Sequence, residues 1–183
     1  MIRRLSVLAV LLAVAPRPAA AQEPRIELGV GAAVVRDSKN SVNLRGWYAE
    51  GAMRILPGVS VVVEGSSTWR TQAYYAGDFE VARVKLAVDS VMAGARVSAK
   101  VWKVREFAQV LAGRLTGSGS DASFPDPTPH FTVQPGLGLD IPLVSHLALR
   151  IELDARYIGV DNRGNQNGVQ FRLASGFAYA LRR

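Results

Sequence analysis

Between Leu147 and Tyr157 the chain alternates without a break. Leu147, Leu149, Ile151, Leu153, Ala155 and Tyr157 take one set of positions, and Ala148, Arg150, Glu152, Asp154 and Arg156 take the other. Successive strand side chains point to opposite faces, so a period of two gives one strand an apolar face and a densely charged face. The run is about 11 residues long, which suits a tilted strand crossing a bilayer. A fold built from such strands must give each face its own environment.

The same period recurs along the chain. In the last segment Val169, Phe171, Leu173, Phe177, Tyr179 and Leu181 share a face, with Ser175 as the exception, against Gln170, Arg172, Ala174, Gly176, Ala178 and Ala180. Further strands are expected at Ile26–Val35, Val42–Ile55, Val59–Arg70, Val88–Ala99, Val104–Thr116 and Phe131–Ile141. Val104–Thr116 has apolar residues on both faces, and its facing stays open. The connections alternate in length. Leu56-Pro57-Gly58, Lys100–Lys103 and Leu143–Ser145 are tight, whereas Arg36–Ser41, Thr71–Ala87, Gly117–His130 and Gly159–Asn167 read as long polar loops. About eight strands with short and long connections in turn describe an all-β, eight-stranded antiparallel up-and-down transmembrane β-barrel, short turns on the periplasmic side and long loops outward.

The N-terminus carries an export signature. Arg3 and Arg4 precede an apolar stretch from Leu5 to Ala15, and Ala19-Ala20-Ala21 forms a small-residue cleavage site. Residues 1–21 are expected to be a cleaved signal peptide and 22–183 the barrel domain, placed in the bacterial outer membrane. The net charge of +7 falls to +4 without Arg3, Arg4 and Arg17. That balance, with no basic cluster interleaved with aromatics, excludes a nucleic-acid partner. The sequence has no cysteine and two histidines, which excludes disulfides, thiolate metal sites and a histidine-rich metal centre. No cofactor and no metal are expected.

Period two alone does not say which face is inside. Two features favour a charged interior. Small residues gather on the polar face, at Gly136, Gly138, Ala174, Gly176, Ala178 and Ala180, and small side chains suit the crowded lumen of a narrow barrel. The charges of that face are mixed in sign, so they can pair: Glu50, Arg54, Glu64, Arg70, Arg96, Asp140, Arg150, Glu152, Asp154, Arg156 and Arg172. These residues are expected to form a lumen charge network. Trp47, Trp69, Tyr157, Phe177 and Tyr179 are expected at the membrane interfaces, with Trp102 as a further anchor.

With these residues in view the chain resembles the eight-stranded outer-membrane barrel family that includes the OmpA membrane domain and OmpX. Phe107-Ala108-Gln109-Val110-Leu111-Ala112-Gly113 resembles that family's fifth strand. Gly136-Leu137-Gly138-Leu139-Asp140, followed by Leu149-Arg150-Ile151-Glu152, resembles its sixth and seventh. Phe177, Tyr179 and Leu181 resemble the closing strand read by the barrel-assembly machinery, although the chain continues with Arg182-Arg183 where the family stops on an aromatic residue. The resemblance implies outer-membrane lipid and lipopolysaccharide as surroundings and the assembly machinery as a partner during biogenesis.

The expected role is non-enzymatic, structural or by surface interaction through the long loops. Three alternatives stay open: a narrow pore for small solutes, a lipid-modifying enzyme and a soluble lipocalin-like binder. The enzyme reading rests on a resemblance to outer-membrane lipid A deacylases, which use a histidine, a serine two positions on and an acidic partner; here His130 is followed by Thr132, and no acidic residue has a matching place. His146 beside Ser145 reads as turn chemistry. Tyr74-Tyr75-Ala76-Gly77-Asp78-Phe79-Glu80 combines aromatics with carboxylates, a recognition surface or an upper girdle. Asp121, Pro125, Asp126, Pro127 and Pro129 match no specific metal loop. The surface ligand is not named by the sequence.

Overall fold

A computed structural model describes residues 26–38, 43–76, 79–119, 129–159 and 168–181. The signal segment 1–21, Arg182-Arg183, and Asp121, Pro125, Asp126 and Pro127 lie outside the described residues. The described chain is eight antiparallel strands that close on themselves. They are β1 (Ile26–Asp37), β2 (Asn43–Leu56), β3 (Val59–Ala76), β4 (Phe79–Val101), β5 (Val104–Gly119), β6 (Pro129–Val144), β7 (Leu147–Ile158) and β8 (Gly168–Leu181). Each pairs with its sequence neighbours, and β1 closes on β8 from Ile26 opposite Leu181 to Asp37 opposite Gln170. Closure leaves no sheet edge around the wall.

Polarity is inverted relative to a soluble domain. Arg150, Arg156, Arg172 and Glu64 are fully buried, whereas Val91, Leu137, Leu153 and Phe177 are exposed on the outer wall. The facing of β5 is now fixed. Phe107, Gln109, Leu111 and Leu115 point inward and Val110 outward. The lumen is therefore not wholly polar: Ala52, Val62, Met92 and Leu111 form an apolar stripe across β2–β5.

Glycines on the inner face let so narrow a barrel curve. A Cβ on Gly46 would stand 1.9 Å from the carbonyl oxygen of Ser67, and one on Gly94 2.0 Å from that of Val110. Adjacent backbones approach there too closely for any side chain, as strongly coiled sheets require. The β6–β7 ladder is interrupted between Val133 and Gly136, where Pro135 supplies no N–H.

One expectation fails. The segment Thr71–Ala87, read as a loop, is strand almost throughout. β3 and β4 pair from Val59 opposite Val97 to Ala76 opposite Phe79, with a register shift at Tyr74/Tyr75. Of the segment Tyr74–Glu80, Tyr75 thus pairs with Glu80 and Ala76 with Phe79, and Gly77 and Asp78 lie outside the described residues. Beyond the apolar belt neither face of a strand needs to be apolar, so the alternation that identifies the other strands is absent here. Among the described residues β2 pairs with β3 only up to Trp69, and β5 with β4 only up to Leu86. Beyond these points Thr71–Ala76 pairs with Phe79–Lys85 as a two-stranded ribbon.

Candidate functional site

The charged face of β7 meets carboxylates and arginines from six other strands inside the barrel. At the end of the short turns, Arg105 pairs with Glu27 and lies 2.6 Å from Asp140. Arg150 places its Nε 2.7 Å from the same Asp140 and its Nη1 against Glu50. At mid-height Arg96 donates to both oxygens of Glu50, at 3.0 and 2.5 Å, to Gln109 at 2.7 and 3.0 Å, and to Glu152 at 3.4 Å. Towards the long loops Arg172 Nη1 donates to both oxygens of Glu64, at 3.0 and 2.9 Å, and to Asp154 at 2.9 Å. Arg156 donates to Gln134 at 2.6 Å and Ser66 at 3.1 Å, with Glu64 at 3.8 Å.

This is one connected network, because several members bridge its levels. Arg150 touches Glu27, Asp140 and Glu50, and Glu152 lies between Arg96 and Arg172. Aromatic rings complete the packing. The Arg96 guanidinium sits 4.3 Å from the centre of the Phe107 ring, and Arg172 lies 4.9 Å from that of Tyr48. Arg96, Arg105, Arg150, Arg156 and Arg172 face Glu27, Glu50, Glu64, Asp140, Glu152 and Asp154, so the charges nearly cancel. Cancellation and dense hydrogen bonding are the conditions under which charges can be held away from water.

Of the residues expected in the lumen, Glu50, Glu64, Arg96, Asp140, Arg150, Glu152, Asp154, Arg156 and Arg172 are brought together in this way. Arg54 and Arg70 are not among them; they are half-buried, near opposite ends of the wall. Sequence reasoning missed Glu27 and Arg105. Glu27 is followed on the inner face by Gly29, Gly31 and Ala33, so its strand carries no run of charge. Arg105 belongs to β5, whose facing the sequence left open.

Glu50, Glu64 and Glu152 place carboxylate oxygens within 4.8 Å of one another, a spacing that metal ligands share. Each already faces arginine: Glu50 meets Arg96 and Arg150, Glu64 meets Arg172, and Glu152 meets Arg96 and Arg172. A divalent cation at that point would be repelled by three guanidinium groups at close range. The cluster acts as counter-charge.

His130 and Thr132 both lie on β6, and neither Thr132 Oγ1 nor His130 Nδ1 has a hydrogen-bond partner among the described residues. Among the described residues no hydrogen bond joins that hydroxyl to a base. His146 sits at the β6–β7 turn, where its carbonyl accepts the Ala180 N–H at 2.8 Å and its ring lies 6.3 Å from that of Tyr179.

Outside, the expected interface aromatics are exposed. Trp47, Trp69 and Tyr157 lie in the half of the wall nearer the long loops, and Phe177 and Tyr179 in the half nearer the turns. Trp102 is 83% exposed at the β4–β5 turn, with the Lys103 ammonium 5.2 Å from its ring.

No protein-family model matches the chain, and no curated protein matches it in sequence. Solved structures do share the fold. Neisserial surface protein A superposes with a TM-score of 0.67 at 14% identity, over 85% of this chain and 97% of that one. Ail, the attachment invasion locus protein of Yersinia pestis, crystallised with the heparin analogue sucrose octasulfate, gives 0.57 at 15% identity, over 86% and 99%. The outer membrane protein OprG of Pseudomonas aeruginosa gives 0.55 at 10% identity, over 88% and 97%. At these identities the likeness is one of fold.

Proposed function

We propose that the chain is an integral outer-membrane barrel, exported by its N-terminal signal, that serves as a non-enzymatic surface-interaction protein. The observation that carries this reading is the inverted polarity together with the projecting β3–β4 ribbon. An apolar wall with aromatics towards both ends suits a bilayer core roughly 25 Å thick. Among the described residues the lumen network fills the barrel interior, so transport is not what this interior favours.

The ribbon supports the interaction role. Its seven-residue arms, Arg70–Ala76 and Phe79–Lys85, extend about 20 Å along the strand direction. Among the described residues their outer edges are unpaired, and an open edge offers N–H and C=O groups to an extended peptide of a partner. Lipid and lipopolysaccharide surround the wall in this reading, and the assembly machinery inserts it.

Epitope accessibility tests the proposal. A tag placed between Gly77 and Asp78 is expected to be labelled on intact cells. The same tag between Pro57 and Gly58 is expected to be labelled only after permeabilisation. The protein should fractionate with the outer membrane and migrate differently on a gel before and after boiling. Reversed labelling, or recovery from the periplasm without detergent, overturns the reading.

A further inference from the structure

On the outer wall near the long loops two arginines stand side by side. Arg36 of β1 pairs with Asn43 of β2, and Val34 pairs with Arg45. Arg36 and Arg45 are thus diagonal neighbours on one face, roughly 7–8 Å apart between Cα atoms. Both are exposed. Neither side chain makes an ion pair or hydrogen bond with another described residue.

No carboxylate among the described outward neighbours offsets them. Across β8, Arg36 faces Phe171, with Val169 and Leu173 diagonal. Across β3, Arg45 faces Trp69, with Ser67 and Thr71 diagonal. The next acidic residue along β1, Asp37, alternates to the inner face. Below the pair lie Val34, Ala32 and Trp47, all exposed. Arg45 stands 11 residues from Leu56, at the far end of the same strand, which is roughly 25–30 Å of height for a tilted strand. The pair therefore sits where the apolar wall ends and the headgroup layer begins.

Two like charges held at this spacing repel, and a doubly acceptor-rich anion between them removes the repulsion. Guanidinium groups match phosphate oxygens in pairs. A phosphate fixed to a lipid would place its acyl chains down the Val34, Ala32 and Trp47 surface, with Phe171 and Trp69 on either side. We propose that Arg36 and Arg45 clamp the phosphate of a lipid headgroup in the leaflet on the long-loop side. This rests on the membrane-barrel reading and names one lipid site within it.

The test reconstitutes the full barrel in phosphatidylcholine vesicles with and without one-tenth phosphatidic acid. Association of a spin-labelled phosphatidic acid is measured relative to labelled phosphatidylcholine. One cation beside an anionic surface is worth about five-fold in partition, so the pair should give roughly ten- to thirty-fold preference at low salt. R36Q/R45Q should lose most of it. R114Q, on β5 across the barrel, should keep it. Equal preference in wild type and R36Q/R45Q overturns the inference, as does loss of preference with millimolar inorganic phosphate, which would mark a free-anion site. Flotation with phosphatidylcholine vesicles separates the two readings: a barrel that inserts but shows no preference refutes the clamp alone, and one that does not insert refutes both.

Discussion

Replacing Arg172 by methionine removes the hub of the upper lumen. Arg172 is fully buried and reaches three carboxylates: Glu64 at 2.9 Å, Asp154 at 2.9 Å and Glu152 at 3.4 Å. Glu152 keeps Arg96 at 3.4 Å, and Glu64 keeps Arg156 at 3.8 Å. Among the described residues Asp154 keeps a 3.4 Å hydrogen bond from Gln109 and the more distant charge of Arg156. Breaking a buried pair by removing one partner costs about 3–5 kcal/mol, because the remaining charge stays buried without compensation. R172M is expected in that range. The uncompensated charge is concentrated on Asp154, so D154N should restore part of the loss. The double variant R172M/D154N should be more stable than the sum of the single changes by about 1–3 kcal/mol. The assay is urea unfolding of the lipid-reconstituted barrel, followed by tryptophan fluorescence, with heat-dependent gel migration as a second readout. Strict additivity within about 0.5 kcal/mol would refute the network as a coupled unit. So would a loss below about 1 kcal/mol for R172M, since that is the scale of a water-screened surface pair.

Three further outcomes follow from the geometry. Gly46→Ala pushes a methyl group into the Ser67 backbone and should cost at least about 2 kcal/mol, read by the same unfolding assay; Gly65→Ala meets nothing within 4 Å and should be neutral or slightly stabilising. Trp102 holds a φ of 54°, a left-handed conformation that disfavours large side chains, so Trp102→Gly should stabilise the turn by about 1 kcal/mol in detergent, and a loss there would mean that the ring's contacts outweigh its strain. In planar bilayers the wild-type barrel should give no stepwise conductance, because arginines and carboxylates fill its section from Arg105 to Arg156; steady channels would reopen the pore reading.

How far the sequence could be read depended on how sharply the two faces of each strand differ in polarity. β7 is expected over Leu147–Tyr157 and found over Leu147–Ile158, because its outward residues are apolar while Arg150, Glu152, Asp154 and Arg156 lie within the ion network. The last strand behaves likewise. β5 was ambiguous because Phe107, Leu111 and Leu115 line the lumen while Val110 lines the outside, so both faces are partly apolar. The outer parts of β3 and β4 were missed because Thr71–Ala76 and Phe79–Lys85 carry no sustained alternation of apolar and polar residues. Partners across the lumen were beyond any periodicity argument. That Arg172 of β8 would meet Glu64 of β3 depends on closure and stagger, which local pattern does not encode.

The same contrast bears on what can vary in this protein. Inside the wall each charged residue is held by residues of other strands, so a change at Glu50 disturbs Arg96 on β4 and Arg150 on β7 together. In the ribbon the backbone pairing of Thr71–Ala76 runs to Phe79–Lys85, the neighbouring segment of the same hairpin, and not across the barrel. A barrel closed by its own hydrogen bonds and filled by its own ions does not need the ribbon for stability. Replacing Thr71–Lys85 by an Asn-Gly turn should therefore leave the unfolding midpoint of the barrel within about 1 kcal/mol of wild type, while any surface binding that depends on the open strand edges disappears. If that replacement instead destabilises the wall as much as R172M does, the ribbon is part of the folding unit. Its projection would then no longer support an interaction role.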